Sequence, residues 1–201
     1  LINVFDETLS PGSLLMGDIF ADYFSRISSA DEDTYSMASY FENAIRRNYY
    51  SKEEERVIYN MRHWEQDTIF TLCVLKDSCR RLSIPELRWC CGILELNIQN
   101  SIAFTIDEQV ALLIPRQHLS IEFLLTQVLE NYVPGFSFQC GASLSFKNFQ
   151  SLKSHYSQAV YSLNQIRGSS RNLMRFQECG FHGICCEIAD SFEWEDYFPP
   201  E

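Results

Sequence analysis

The sequence predicts an α+β fold, a ferredoxin-like split βαβ sheet with helices added in front of it, on three observations. From Thr68 onward, apolar runs rich in β-formers alternate with segments whose apolar residues recur at helical spacing. Their order reads β-α-β-β-α-β-α-β-α, and the first six elements make the split βαβ arrangement, with both crossover helices due on one sheet face. Before Thr68 the pattern is helical only and carries more acid.

Taken in order, residues 1–16 include "SPGS" and read as a linker or the edge of an upstream domain. Residues 17–67 read as an N-terminal helical extension. In "MGDIFADYFSRI" the apolar residues Ile19, Phe20, Tyr23, Phe24 and Ile27 share a helical face. "DEDTYSMASYFENAIRRN" predicts a second helix, with Asp31 or Asp33 as cap and Arg46 and Arg47 in the last turn, where cations suit the helix dipole. "KEEERVIYNM" reads as a short helix or a connection.

Residues 68–192 hold the sheet. "TIFTLCVLK" is a nearly continuous apolar run and predicts a buried strand. "SIPELRWCCGILELN" starts a helix at Ser83, with Glu86 completing a capping box and Pro85 in the first turn, where its missing N–H costs little. "SIAFTI" and "VALLIP" predict two strands joined through "DEQ" as a tight hairpin. "SIEFLLTQVLENYVPG" is a helix from Ser120, stopped by Pro134 and Gly135. "FSFQCGASLSF" is a strand, "SLKSHYSQAVYSLNQI" a helix with Asn148 as its cap, "NLMRFQ" a last strand and "FHGICCEIADSF" a last helix. In the long helix Leu152, Tyr156, Ala159, Leu163 and Ile166 share one core-facing stripe. Residues 193–201 read as an acidic linker.

Charge narrows the partners. The net charge is −11 over 201 residues. Residues 1–60 carry 11 acids and 5 bases, and residues 187–201 carry 6 acids and no base. Residues 61–186 carry 10 acids and 11 bases, so neither the flanks nor the middle offers the basic stripe that phosphate binding requires. This chain by itself is therefore not expected to bind DNA. No apolar run approaches the roughly 20 residues of a membrane span, and no signal-peptide pattern is present at Leu1. Cys73, Cys79, Cys90, Cys91, Cys140, Cys179, Cys185 and Cys186 sit mostly within apolar elements and read as small hydrophobes rather than as a disulfide framework, which favours the cytoplasm. The chain starts at Leu1 and stops on "FPPE", and is expected to be a piece of a longer protein.

Three stretches, "CGASLSF", "SLKSHYSQAVYSLNQI" and "LMRFQECGFHGIC", in this element order, resemble the GGDEF-like central domain of CdaR/PucR-type bacterial transcription regulators. The resemblance covers about Gly17 to Phe192. In that family a G-x-S strand end is followed by a helix with S-Y-x-x-A near its middle. Here the Ser-Tyr pair is His155-Tyr156, and Ala159 is kept. A related domain occurs in some two-component response regulators with AraC-type outputs. The resemblance implies a regulatory domain between an upstream sensory region and a downstream helix-turn-helix. DNA would then be reached only through that second domain, with a second copy of the chain as a further partner.

The same fold serves nucleotide cyclases, in which a hairpin with two glycines and two acids meets nucleotide and metal. Aligned on "VALLIP", the glycine positions are Ile106 and Asp107, and the acid positions are Glu108 and Gln109. Ile106 is branched where glycine is needed, and Gln109 cannot act as an anionic ligand or base. At the end of the first strand Asp77 is the candidate metal carboxylate, with Cys79 where a second acid is expected. The site therefore reads as degenerate, with no catalytic residue and no cofactor. Cys179, His182 and Cys186 form a weak zinc candidate that lacks a fourth local ligand. Phe20, Tyr23, Phe24, Tyr40 and Phe41 are candidates for an aromatic contact surface on the helical extension. The functions this leaves are a non-catalytic relay domain, a sensor binding an effector or nucleotide above the hairpin, and an active cyclase as the least favoured.

Overall fold

Ser51, Ser83 and Ser120 each start a helix in the computed structural model of the chain, which describes residues 37–116, 120–133, 136–166, 171–180 and 185. Among these, α1 is helical over 37–46, and α2 spans Lys52–Met61. They are followed by β1 (Phe70–Asp77), α3 (Ile84–Asn97), β2 (Ile102–Ile106), β3 (Gln109–Pro115), α4 (Ile121–Tyr132), β4 (Phe138–Ala142), α5 (Leu152–Gln165) and β5 (Leu173–Arg175). The Ser51 hydroxyl accepts from the Glu54 N–H at 3.3 Å, and that of Ser120 from the Phe123 N–H at 3.2 Å. At Ser83 the Glu86 carboxylate reaches back, accepting from the Ser83 N–H at 2.8 Å and its hydroxyl at 2.7 Å. These bonds to Ser83, with help from Arg80, hold the Glu86 carboxyl down at about 2.

The five strands form one sheet in the order β2-β3-β1-β4-β5. All neighbours are antiparallel except β4 and β5, which are parallel. The molecule is thus α+β with a mixed sheet. Residues of α3 (Leu87, Cys90, Ile93, Leu94) and α4 (Leu125, Val128, Leu129) share one core with Cys73, Leu75, Val110, Leu112, Ile114 and Cys140 on one sheet face. Both crossover helices therefore cover the same face, as the topology requires. One sequence expectation is corrected in the hairpin. Gln109 is not in the loop but pairs with Ile106, so the turn is Asp107-Glu108 alone. A second concerns Asn148. It precedes a 3₁₀ turn at Phe149–Ser151, its side chain makes no capping bond there, and α5 begins only at Leu152.

The opposite face is covered in two parts. α5 covers the β4 side with Leu152, Tyr156, Ala159, Leu163 and Ile166, all buried. Its approach is set by Gly141, where an added Cβ would lie 2.0 Å from the Ala159 carbonyl oxygen and 2.4 Å from the Leu163 nitrogen. Only glycine permits backbone that close. The β2 side of that face is covered by aromatic rings. Phe41 of α1 stacks on Phe104 of β2 at 5.4 Å, and Phe149 packs edge-on to Phe41 at 5.2 Å. Trp64 meets Phe70 at 4.7 Å and donates its indole N–H to the Asn100 carbonyl at 3.0 Å.

This packing corrects the contact-surface expectation for Tyr40 and Phe41. Both are buried, Phe41 completely, because the sheet has a vacant half-face that the rings fill. Phe20, Tyr23 and Phe24 lie outside the described residues. The chain divides into two compact units, Leu1–Ser39 and Tyr40–Glu201, and the part of the expected helical extension from Tyr40 onward is built into the second. The expected last helix at "FHGICCEIADSF" lies outside the described residues apart from Cys185, which is helical.

Candidate functional site at the hairpin end of the sheet

Asp77 closes β1, and β1 pairs with β3 up to Leu75 opposite Val110. The Asp107-Glu108 turn and Asp77 therefore lie at one end of the sheet, together with the loop from Ser78 to Leu82 that leads into α3. Both turn residues have positive φ, 46° at Asp107 and 60° at Glu108, as a two-residue turn matched to the strand twist demands. Neither is glycine. The left-handed region costs an L-residue about 1–2 kcal/mol, and aspartate tolerates it better than glutamate.

Side chains from several elements hold this turn. The Arg46 guanidinium of α1, which also pairs with Glu42 at 2.9 Å, donates Nη2 to Asp107 Oδ1 at 2.9 Å. The Tyr156 hydroxyl of α5 donates to Asp107 Oδ2 at 3.1 Å. Arg81 pairs with Glu108. Burial first, and the Asp107 carboxylate second, push the Tyr156 phenol above its ordinary value. Ile106 faces the core and is 2% exposed. Of the residues aligned above with a cyclase hairpin, Ile106 is packed inward, and Asp107 and Glu108 are exposed and ion-paired.

Asp77 is likewise engaged. Its Oδ1 accepts from the Cys79 N–H at 2.8 Å, a local turn contact that ends the strand. Its Oδ2 faces the Arg80 Nε at 3.7 Å, and Arg80 also donates to Glu86 at 2.6 Å. Guanidiniums face the carboxylates at this end of the sheet, but Arg80 is shared between Asp77 and Glu86 and Arg46 between Asp107 and Glu42, and among the described residues the buried Asp77 Oδ2 has no hydrogen-bond partner. Among the described residues no three His, Cys, Asp or Glu side chains are grouped as a metal would need. Of the zinc candidate only Cys179 is described; its Sγ lies 3.6 Å from the Arg175 carbonyl oxygen and 3.7 Å from the Ser162 hydroxyl. His182 and Cys186 lie outside the described residues.

The residues singled out near β4 and α5 have packing roles. Ser143 Oγ accepts from the Leu72 N–H at 3.1 Å and donates to the Leu144 carbonyl at 2.7 Å, extending the β1–β4 ladder by a side chain. His155 stacks on Phe146 with ring centroids 4.2 Å apart and shares Gln158 Oε1 with the Leu144 N–H. Ala159 is the small residue beside Gly141.

Sequence reasoning missed two contacts. Arg46 was visible only as a last-turn cation and Tyr156 only as a core residue; their meeting on Asp107 is long-range. The other is the half-buried Glu95, which accepts from the Ala103 N–H at 2.7 Å and from Arg62 at 3.4 Å. Burial raises its carboxyl above the ordinary value, with Arg62 opposing. A glutamate within the apolar stripe of α3 was the available signal.

A separate cleft of about 390 Å³ opens at the other end of the sheet, lined by Thr71, Ile114, Pro115, Ile121, Leu124 and the guanidinium-bearing Arg116 and Arg175. Among the described residues no helix is long and apolar enough to cross a membrane. No family model matches the chain, and no curated protein matches it.

Proposed function

We propose that the chain is a non-catalytic relay domain of a bacterial transcription regulator, cytoplasmic, with a sensory region before it and a helix-turn-helix after it. The observation that carries the non-catalytic part is the occupied hairpin. Ile106 is packed inward, and Asp107 and Glu108 are tied to Arg46, Tyr156 and Arg81. The strand order β2-β3-β1-β4, antiparallel throughout, supports the finer reading of the fold as ferredoxin-like and GGDEF-like. The regulator part rests on the resemblance carried by "CGASLSF" and the helix that follows it, and fold alone does not assign it.

Two experiments test this reading. Calorimetric titration with GTP, with and without magnesium, is expected to give no binding heat. Product formed from GTP and abolished by Glu108→Gln would overturn the non-catalytic assignment. The coding sequence downstream of Glu201 is expected to encode a helix-turn-helix, and a continuation without one would overturn the regulator assignment. A second reading, effector binding, is favoured by the cleft whose lining includes Arg116 and Arg175 beside Ile114, Ile121 and Leu124, residue types that suit an organic anion. Arg175 is shared there with Glu178 at 3.3 Å.

A further inference from the structure

The hairpin turn is strained at two successive residues, yet its restraints come from outside the hairpin. One of them, Arg46, is the last residue of α1. Asp107 uses one carboxylate oxygen for α1 and the other for α5: Oδ1 takes Arg46 at 2.9 Å and Oδ2 takes Tyr156 at 3.1 Å. Glu108 is held separately by Arg81. The pair is solvent-accessible, with Arg46 and Asp107 side chains 48% and 54% exposed. A pair so placed is weak and reversible. Weakness suits a contact that has to open.

We propose that Asp107 is a latch that couples the seating of α1 to the conformation of the β2–β3 turn. With α1 seated, Arg46 and Tyr156 together fix the carboxylate and hold the turn in its left-handed conformation. When the last turn of α1 draws away, Arg46 leaves, the carboxylate is held only through Tyr156, and the strained turn gains other conformations. Coupling of this kind is reciprocal: what loosens the turn also loosens the end of α1. The latch rests on the relay reading for its purpose but not for its test.

The test is amide hydrogen exchange on the full 201-residue chain and its variants. Arg46→Ala is expected to speed exchange at Gln109, which pairs with Ile106, about five- to tenfold, and Asp107→Ala to speed exchange over residues 43–46 by a similar factor. Arg81→Ala, which removes the restraint on Glu108 alone, is expected to speed the turn and leave residues 43–46 unchanged. Core amides of β1 and β3 report whether each variant is folded and should stay protected in all of them. Arg46→Ala that leaves the turn unchanged would overturn the latch, as would exchange accelerated equally across β1, β3 and α1. The readout makes no use of transcriptional output, so the latch can fail while the relay reading stands, and the reverse.

Discussion

Gly141 is the residue on which the α5 side of the core depends. A methyl group there would meet the Ala159 carbonyl oxygen at 2.0 Å and the Leu163 nitrogen at 2.4 Å, and both are backbone atoms that no rotamer change can move. Gly141→Ala is therefore expected to push α5 off the sheet, with a loss of about 3 kcal/mol, at the upper end of overpacking costs. Urea unfolding of the two proteins measures it, and a loss below about 1 kcal/mol would mean that the helix shifts freely. The same close approach suits the small side chain of Ala159. Of the G-x-S and Y-x-x-A residues, Gly141 and Ala159 thus meet in three dimensions, while Ser143 bonds to β1 and Tyr156 to the hairpin turn.

At the scale of the element, the β2–β3 hairpin shows what was legible and what was not. Its strands were readable because apolar runs flank a charged turn, and the caps of α3 and α4 were readable because Ser83, Glu86 and Ser120 act within a few residues of themselves. The turn itself was misread by one residue. Gln109 looks like loop, and only its pairing with Ile106 makes it strand. The ties from Arg46 and Tyr156 were not legible, since they depend on where α1 and α5 come to rest. The strain can be tested directly. Glu108→Gly loses the Arg81 pair but relieves a φ of 60°, and is expected to change stability by less than about 1 kcal/mol. Glu108→Val loses the same pair and places a branched side chain in the left-handed region, and is expected to be less stable than the glycine variant by about 1–2 kcal/mol. Thermal unfolding of the pair separates strain from charge.

Over the whole molecule, one sheet face is closed by α3 and α4, and the other by α5 and an aromatic layer reaching back to α1. The sequence showed the aromatic content of the helices before Thr68 but not its destination, because helical spacing gives a stripe and not the surface the stripe meets. The layer is rich in phenols. Burial and the nearby Glu55 push Tyr50 and Tyr59 up to about 12, and Tyr40 is raised as well. The sign follows from linkage. The folded state favours the protonated phenols, so their contribution is fully present below the ordinary value of 10.0 and is lost as pH rises through that value to about 12. Denaturant unfolding is expected to show falling stability across this window. The part of the ultraviolet tyrosinate absorbance that is lost when Tyr40 and Tyr59 are replaced by Phe should rise together with loss of structure rather than before it.

β1 lies at the centre of the sheet, and both of its neighbours are encoded after it. A ribosome therefore delivers "FTLCVL" with two open edges. The first edge closes when Pro115 has emerged, and the second only when Ala142 has followed. For that stretch of synthesis a largely apolar strand is a template for wrong pairing, so short nascent chains are expected to depend on a holding chaperone more than longer ones. Ribosome-stalled chains of increasing length are expected to stay protease-sensitive when they end before Ala142 and to become resistant once β4 and α5 have cleared the exit tunnel. Resistance already present in chains ending near Pro115 would show that the hairpin side of the sheet folds on its own.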